Sequence, residues 1–239
     1  MKSKVLSFGC LASSLARNQT QCVVDALLAR QPRLTCQINV LPSPVAEDSK
    51  LDEPYVTAAR AEVEFLEATV RQEQVRFVVL EASDMVLPLP DGLDVLCVPD
   101  RATPYDAYLN RQGLIMDEMP AGSRVGVLSN RSRAQMAALW PDLAFTVLRG
   151  GVERAMEIHM RRSEIDGLVL PASVTEHLGI QGIVAEIFSP EFVLPGPGQG
   201  IQVVVGHAGD HEGRELLADL HSPATAAELA AEQAFCRRM

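Results

Sequence analysis

The stretch from Gly122 to Gly151 constrains the fold more tightly than any other part of this chain, because it reads as strand, helix and strand in direct succession. Val125 and Val127 alternate with small or polar neighbours, as a half-buried strand requires. Ser129 and Asn130 then cap a helix whose Met136, Leu139 and Trp140 recur at helical spacing. Pro141 and Asp142 end that helix, and the apolar run Ala144 to Leu148 forms the next strand before Arg149-Gly150-Gly151. Strands joined through one helix run parallel with a right-handed crossover. The loop Leu128 to Arg131 therefore lies over a helix N-terminus. There, backbone N–H groups, the Ser129 hydroxyl and the Arg131 guanidinium can converge on a carboxylate. An ordinary capped helix with a solvated arginine is the competing reading of the same residues.

The chain opens on the same pattern. Val5 to Phe8 reads as a strand, Gly9 to Ser14 as a turn, Leu15 to Arg30 as an amphipathic helix and Leu34 to Leu41 as a second strand. Pro42 to Pro54 turns to Pro, Ser, Asp and Glu and is expected to be a mobile loop. A helix follows over Val56 to Arg71, then the strand Phe77 to Leu80. That strand runs into Glu81-Ala-Ser-Asp84, so Asp84 stands at a strand's carboxyl end, where open α/β sheets bind ligands. After a turn at Leu87 to Gly92 and a strand at Asp94 to Val98, residues 99–119 cross to the second series.

Beyond Gly151 the spacing predicts a helix over Val152 to Arg162, a strand over Gly167 to Leu170 and a short helix over Val174 to Leu178. The β-prone Ile201 to Val205 is expected to return and complete the first sheet. The last helix, from Ala224, carries few large apolar residues and reads as lacking its packing partner. Two βαβ series predict an α/β protein of two lobes with mixed sheets and an interlobe cleft as the ligand site. Lobe 1 is expected over 1–98 and 200–222, lobe 2 over 99–199, and the C-terminal helix over 223–239.

A formal net charge of −10 argues against a general nucleic-acid or anionic-membrane surface, and no apolar run is long enough to span a bilayer. Five scattered cysteines without a CxxC pair suit a reducing, cytoplasmic setting. His207 and His211 are four apart, but Gly206 and Gly209 break a helix there and no third ligand is evident. The pair reads as loop surface, and no metal is expected. Gly196 to Gly200 lacks the Lys-Ser or Lys-Thr of a nucleotide loop and reads as an interlobe hinge.

Several motifs together resemble the hydroxymethylbilane synthase, or porphobilinogen deaminase, family. They are Met119-Pro-Ala-Gly-Ser-Arg-Val-Gly126, Ser129-Asn-Arg131, Trp140-Pro-Asp-Leu143 and Leu148-Arg-Gly-Gly-Val152. Further on stand Ile165-Asp-Gly-Leu-Val-Leu170, Glu176-His-Leu-Gly-Ile180, Leu194-Pro-Gly-Pro-Gly-Gln-Gly200 and Glu232-Gln-Ala-Phe235. The resemblance implies two periplasmic-binding-protein-like lobes. It also implies the joining of four porphobilinogen units into a linear tetrapyrrole, primed by a dipyrromethane cofactor held through a thioether to a cysteine of a third domain.

Carried over by position, Asp84 matches the catalytic aspartate. Ser13 and Gln19 match polar residues of the first cleft loop, and Ser129, Arg131 and Arg149 match binders of substrate carboxylates. Elsewhere the pattern departs. Leu11, Ser83, Ser132 and Ala155 stand where the resemblance implies cations, Glu176 replaces a basic residue, and Thr57-Ala-Ala-Arg-Ala61 replaces a glycine- and lysine-rich loop. Cys236 falls short of the cofactor cysteine's position. The expectation is a deaminase-like protein without normal synthase activity or the dipyrromethane cofactor, binding a small carboxylated, pyrrole-like ligand. An active transferase, or a non-catalytic partner of a pathway enzyme, is the alternative. Neither nucleic acid nor membrane is expected as a partner, and the last helix is the candidate surface for a protein partner or self-association.

Overall fold

The computed structural model describes residues 5–45, 55–85, 88–162 and 164–238. In chain order the elements are β1 (Val5–Leu11), α1 (Ser14–Arg30), β2 (Thr35–Leu41), α2 (Tyr55–Arg71), β3 (Phe77–Glu81), β4 (Leu93–Cys97), β5 (Asp106–Asn110) and β6 (Arg124–Val127). They continue with α3 (Asn130–Leu139), β7 (Ala144–Val147), α4 (Gly151–Glu157), β8 (Gly167–Pro171), α5 (Ala172–Leu178), β9 (Val184–Ile187), β10 (Gln202–His207), α6 (His211–Leu217) and α7 (Pro223–Cys236). The chain divides into two compact units. The first comprises Met1–Pro44, Ala59–Ala102 and Ile201–Met239, and the second Val45–Ala58 and Thr103–Gly200.

The first unit holds a five-stranded sheet in the order β2-β1-β3-β10-β4. β1 pairs in parallel with β2 and β3, whereas β10 runs antiparallel to both β3 and β4. Alternation along the strands feeds two cores, one on each face of the sheet. Phe77, Val79 and Val204 join Leu6, Phe8, Val23 and Leu27 on one side. Val78, Leu80, Val203 and Val205 join Val63, Leu66 and Val70 of α2 on the other. A strand buried on both faces reads as a continuous apolar run, which is why FVVL and VVV carry no polar alternation. The late apolar run does return to the first sheet, in its interior.

The second unit repeats the plan with the order β7-β6-β8-β5-β9. β6 is parallel to β7 and β8, and β5 is antiparallel to β8 and β9. Its core gathers Tyr108, Met116, Val125, Val127, Met136, Val169, Phe188 and Val193. The Trp140 ring lies 5.6 Å from that of Phe188, and the indole N–H donates to Asp117 at 2.6 Å.

Three sequence expectations change. Residues 99–119 contain β5, a fully buried strand rather than a plain crossing segment, and β9 was not anticipated. His207 ends β10 and its Nε2 lies 2.9 Å from the Val70 carbonyl oxygen, while His211 opens α6, so neither belongs to a loop, and of the two only His211 is exposed. The last helix is partnered, with Thr225 and Leu229 buried and Leu229 inside the first unit's core. Most of the stretch predicted as a mobile loop, residues 46–54, lies outside the described residues. Among the described residues no helix is long and apolar enough to cross a membrane.

Candidate functional site

In the first unit the predicted site residues gather where β1 and β3 end. These strands are parallel neighbours, so Ser13, just beyond β1, and Asp84, in the helical turn after β3, share one sheet edge. Ser13 caps α1, its Oγ accepting from the Ala16 N–H at 3.1 Å. Gln19, on the first turns of α1, donates from Nε2 to the Glu81 carboxylate at 3.2 Å. Burial, reinforced by the nearby charge of Glu62, pushes the Asp84 carboxyl up to about 6. Asp84 is therefore ionised to accept an N–H above that pH and protonated to act as an acid below it.

In the second unit the equivalent edge collects Ser129, Arg131 and Arg149. Ser129 follows β6 and caps α3, accepting from the Ser132 N–H at 3.0 Å, with its Oγ 2.9 Å from the Ser132 hydroxyl. Arg149 is exposed beyond the end of β7. Arg131 does not stand in solvent. Its Nη2 donates to Asp106 Oδ2 at 2.7 Å, to Ser132 Oγ at 3.1 Å and to Gln199 Oε1 at 3.3 Å, and its Nη1 donates to the Leu194 carbonyl. Two unit charges at about 4 Å attract by roughly 4 kcal/mol gross at an effective dielectric near 20. Removing one partner of such a buried pair typically costs about 3–5 kcal/mol.

Asp106 and Gln199 are the functional candidates that sequence reasoning missed. Asp106 is 1% exposed at the start of β5, and Gln199 is 5% exposed in the proline- and glycine-rich segment. The Pro104-Tyr105-Asp106 turn before an apolar triplet is a strand-start signal with an acid at the ligand-binding edge. Also unanticipated is His159, wholly buried in the π-helical turn after α4. Burial, then the charge of Arg111, pushes its imidazole down to about 4, so it stays neutral at ordinary pH.

Three of the positions where the family resemblance implies cations are packed inside. Leu11 is 7% exposed, Ser132 5% and Ala155 0%, while Ser83 and Glu176 are exposed.

Comparison with known proteins adds identity to this geometry. In solved structures, a putative methionine-binding lipoprotein of Bacillus subtilis aligns over 94% of this chain and 93% of its own, with TM-score 0.54 and 10% identity. A periplasmic substrate-binding protein of an ABC transporter from Coxiella burnetii aligns over 95% and 96%, with TM-score 0.52 and 10% identity. At such identities these likenesses establish the fold alone, that of periplasmic-binding-protein-like lobes. Closer in sequence, the porphobilinogen deaminase of Roseiflexus castenholzii is 35% identical, covering 98% of this chain and 77% of the relative. That of Thermus thermophilus is 30% identical over 98% and 76%.

The family model described as porphobilinogen deaminase, dipyrromethane cofactor binding domain, matches residues 6–215. The match corrects the expectation that the dipyrromethane cofactor plays no part here, since the matched domain is the one that binds it. Taken unit by unit, the residues present have chemistry that fits such a group: in the first, the desolvated Asp84 carboxyl matches a pyrrole N–H, and in the second, Arg149 is an exposed cation while Arg131 is paired with Asp106. Matched over most of its length by that model and by these relatives, the chain belongs to the porphobilinogen deaminase family of tetrapyrrole biosynthesis.

Proposed function

We propose that this protein binds a small carboxylated pyrrole of the porphobilinogen type and lacks the normal synthase activity of its family. The observation that carries the reading is the pairing of a retained acid with lost cations on one sheet edge. Asp84 keeps a carboxyl pushed up to about 6, whereas Leu11 and Ser83, at the ends of the neighbouring strands, carry no charge. A single pyrrole acid needs few cationic partners, while a lengthening polyanion needs many, because each unmatched buried carboxylate is costly.

A dipyrromethane, when bound, supplies the primer to which pyrrole units are joined. The chain's own residues bind and orient. Above about pH 6 the ionised Asp84 carboxylate accepts a pyrrole N–H, and below it the protonated carboxyl no longer offers that charge. Within the second unit Arg149 supplies positive charge for a carboxylate, and Arg131, its charge shared with Asp106, supplies oriented N–H groups.

Calorimetric titration of the purified chain with porphobilinogen tests the binding. Saturable uptake is expected, weakened roughly ten- to a hundredfold in Asp84→Ala, the range for losing one charge-assisted hydrogen bond. Absence of binding at millimolar porphobilinogen would sink the ligand, and steady release of a linear tetrapyrrole would sink the inactivity. A second reading, an active hydroxymethylbilane synthase-type transferase, draws on the match to the cofactor-binding domain. A covalent dipyrromethane adduct in the intact mass of the protein, together with turnover, would decide for it.

A further inference from the structure

We propose that Asp106 is a positioning residue. It fixes the Arg131 guanidinium and, through Gln199, fastens the Leu194–Gly200 segment to the edge of the second sheet. What Arg131 does for a ligand rests on the reading above; the clamp itself does not.

Each oxygen of the buried Asp106 carboxylate has its own donor. Oδ2 accepts from Arg131 Nη2 at 2.7 Å and Oδ1 accepts from Gln199 Nε2 at 2.8 Å. Gln199 Nε2 also donates to the Pro104 carbonyl at 2.7 Å, and its Oε1 accepts from Gly196 N–H at 3.1 Å and from Arg131 at 3.3 Å. The Leu194 carbonyl receives Arg131 Nη1 and, at 3.0 Å, Gln135 Nε2, whose partner Oε1 accepts the Leu194 N–H at 2.8 Å.

A single carboxylate thus holds an arginine on the first turn of α3 and a glutamine from a segment without regular secondary structure. A long cationic side chain otherwise samples many rotamers, so a guanidinium held on several acceptors meets a carboxylate already ordered. Segment Leu194–Gly200 contains two prolines and three glycines, which build no ladder of their own, and side-chain acceptors supply what its backbone lacks.

Asp106→Asn is the discriminating substitution. An amide has one acceptor and one donor group, so it can satisfy Gln199 or Arg131 but not both, at unchanged volume. In nitrogen-15 NMR at low temperature the wild-type Arg131 guanidinium is expected to give separate, slowly rotating Nη–H signals, assigned by their loss in Arg131→Lys. Asp106→Asn should average them. It should also speed amide exchange at Gly196 and Gln199 by about tenfold or more, leaving β6 and β8 unchanged. Split signals that persist in Asp106→Asn, or exchange that rises equally throughout the unit, would overturn the proposal. Gln199→Met serves if Asp106→Asn does not fold: segment protection should fall while the Arg131 signals stay split, and retained protection overturns the fastening.

The ligand arm is a double-mutant cycle on porphobilinogen affinity. Asp106→Asn should weaken binding about tenfold where Arg131 is present and not in Arg131→Ala. Equal weakening in both backgrounds removes the positioning role toward ligand. A wild type that binds no porphobilinogen ends the ligand reading, and the NMR result then decides the clamp by itself.

Discussion

Asp84 carries a measurable signature of its setting. Its carboxyl rises from 3.8 to about 6 because burial, and then Glu62, disfavours the charge. The folded protein therefore holds a proton that the unfolded chain has released between those values, and stability falls as pH rises from about 4 to 6. Above that window the penalty is fully present. Asp84→Asn removes it, so the variant should match wild type in melting temperature at pH 4 and exceed it at pH 8. Each 1 kcal/mol regained moves Tm by roughly 2–4 °C in a chain of this size. Equal melting at both pH values would show that the carboxyl is solvated after all. Asp84 was legible from sequence because a strand end is a local signal. Asp106 was not, because its burial depends on β8, β9 and the Gln199 segment packing around it.

Elements explain both what periodicity revealed and what it hid. β3 and β10 announce themselves through unbroken apolar runs, but β5 begins in Asp106 and ends in Asn110, both buried and polar; Asp106 meets Arg131 and Gln199 from far along the chain, and Asn110 bonds the turn that follows it as well as the distant Asp166 carbonyl. β9 pairs with β5 at the sheet's edge and is half-buried along much of its length, so its apolar signal is weak. The pairing of β5 with β8 also imposes a size limit. Gly167 stands opposite Asn110, and a Cβ on it would lie 2.3 Å from the Tyr108 ring. The fully buried ring has no room to yield. Gly167→Ala should therefore destabilise the second unit by about 1–3 kcal/mol, the usual cost of overpacking. Urea unfolding followed through Trp140, whose ring belongs to that unit, reads it. An unchanged midpoint would mean that Tyr108 moves aside at little cost.

At the scale of the whole molecule, the chain leaves the first unit and returns to it, and the return is what closes the sheet. β10 inserts between β3 and β4, after which α6 and α7 pack on the same unit. α7 is held by Leu229 in the core and by Arg101, which donates to Glu232 at 2.6 Å and to Glu228 at 3.0 Å. Leu229→Ala should cost about 2–5 kcal/mol, as buried leucine truncations do. The loss should appear as faster amide exchange across β3 and β10 with β6 and β8 unaffected. Loss of exchange protection in both units alike would contradict the division of the chain into two compact units.

Sequence alone determined the alternation of strands and helices, the return of the late apolar run, the family motifs and the place of Asp84 at a strand's end. All of these are written in spacings of a few residues, set by the periods of strand and helix. Tertiary structure decided which charges meet. Asp106 lies 25 residues from Arg131 and 93 from Gln199, yet the three share one network. Burying a carboxylate is tolerable only where donors converge on it, and that convergence comes from the folded sheet, whose long-range pairings no local pattern records.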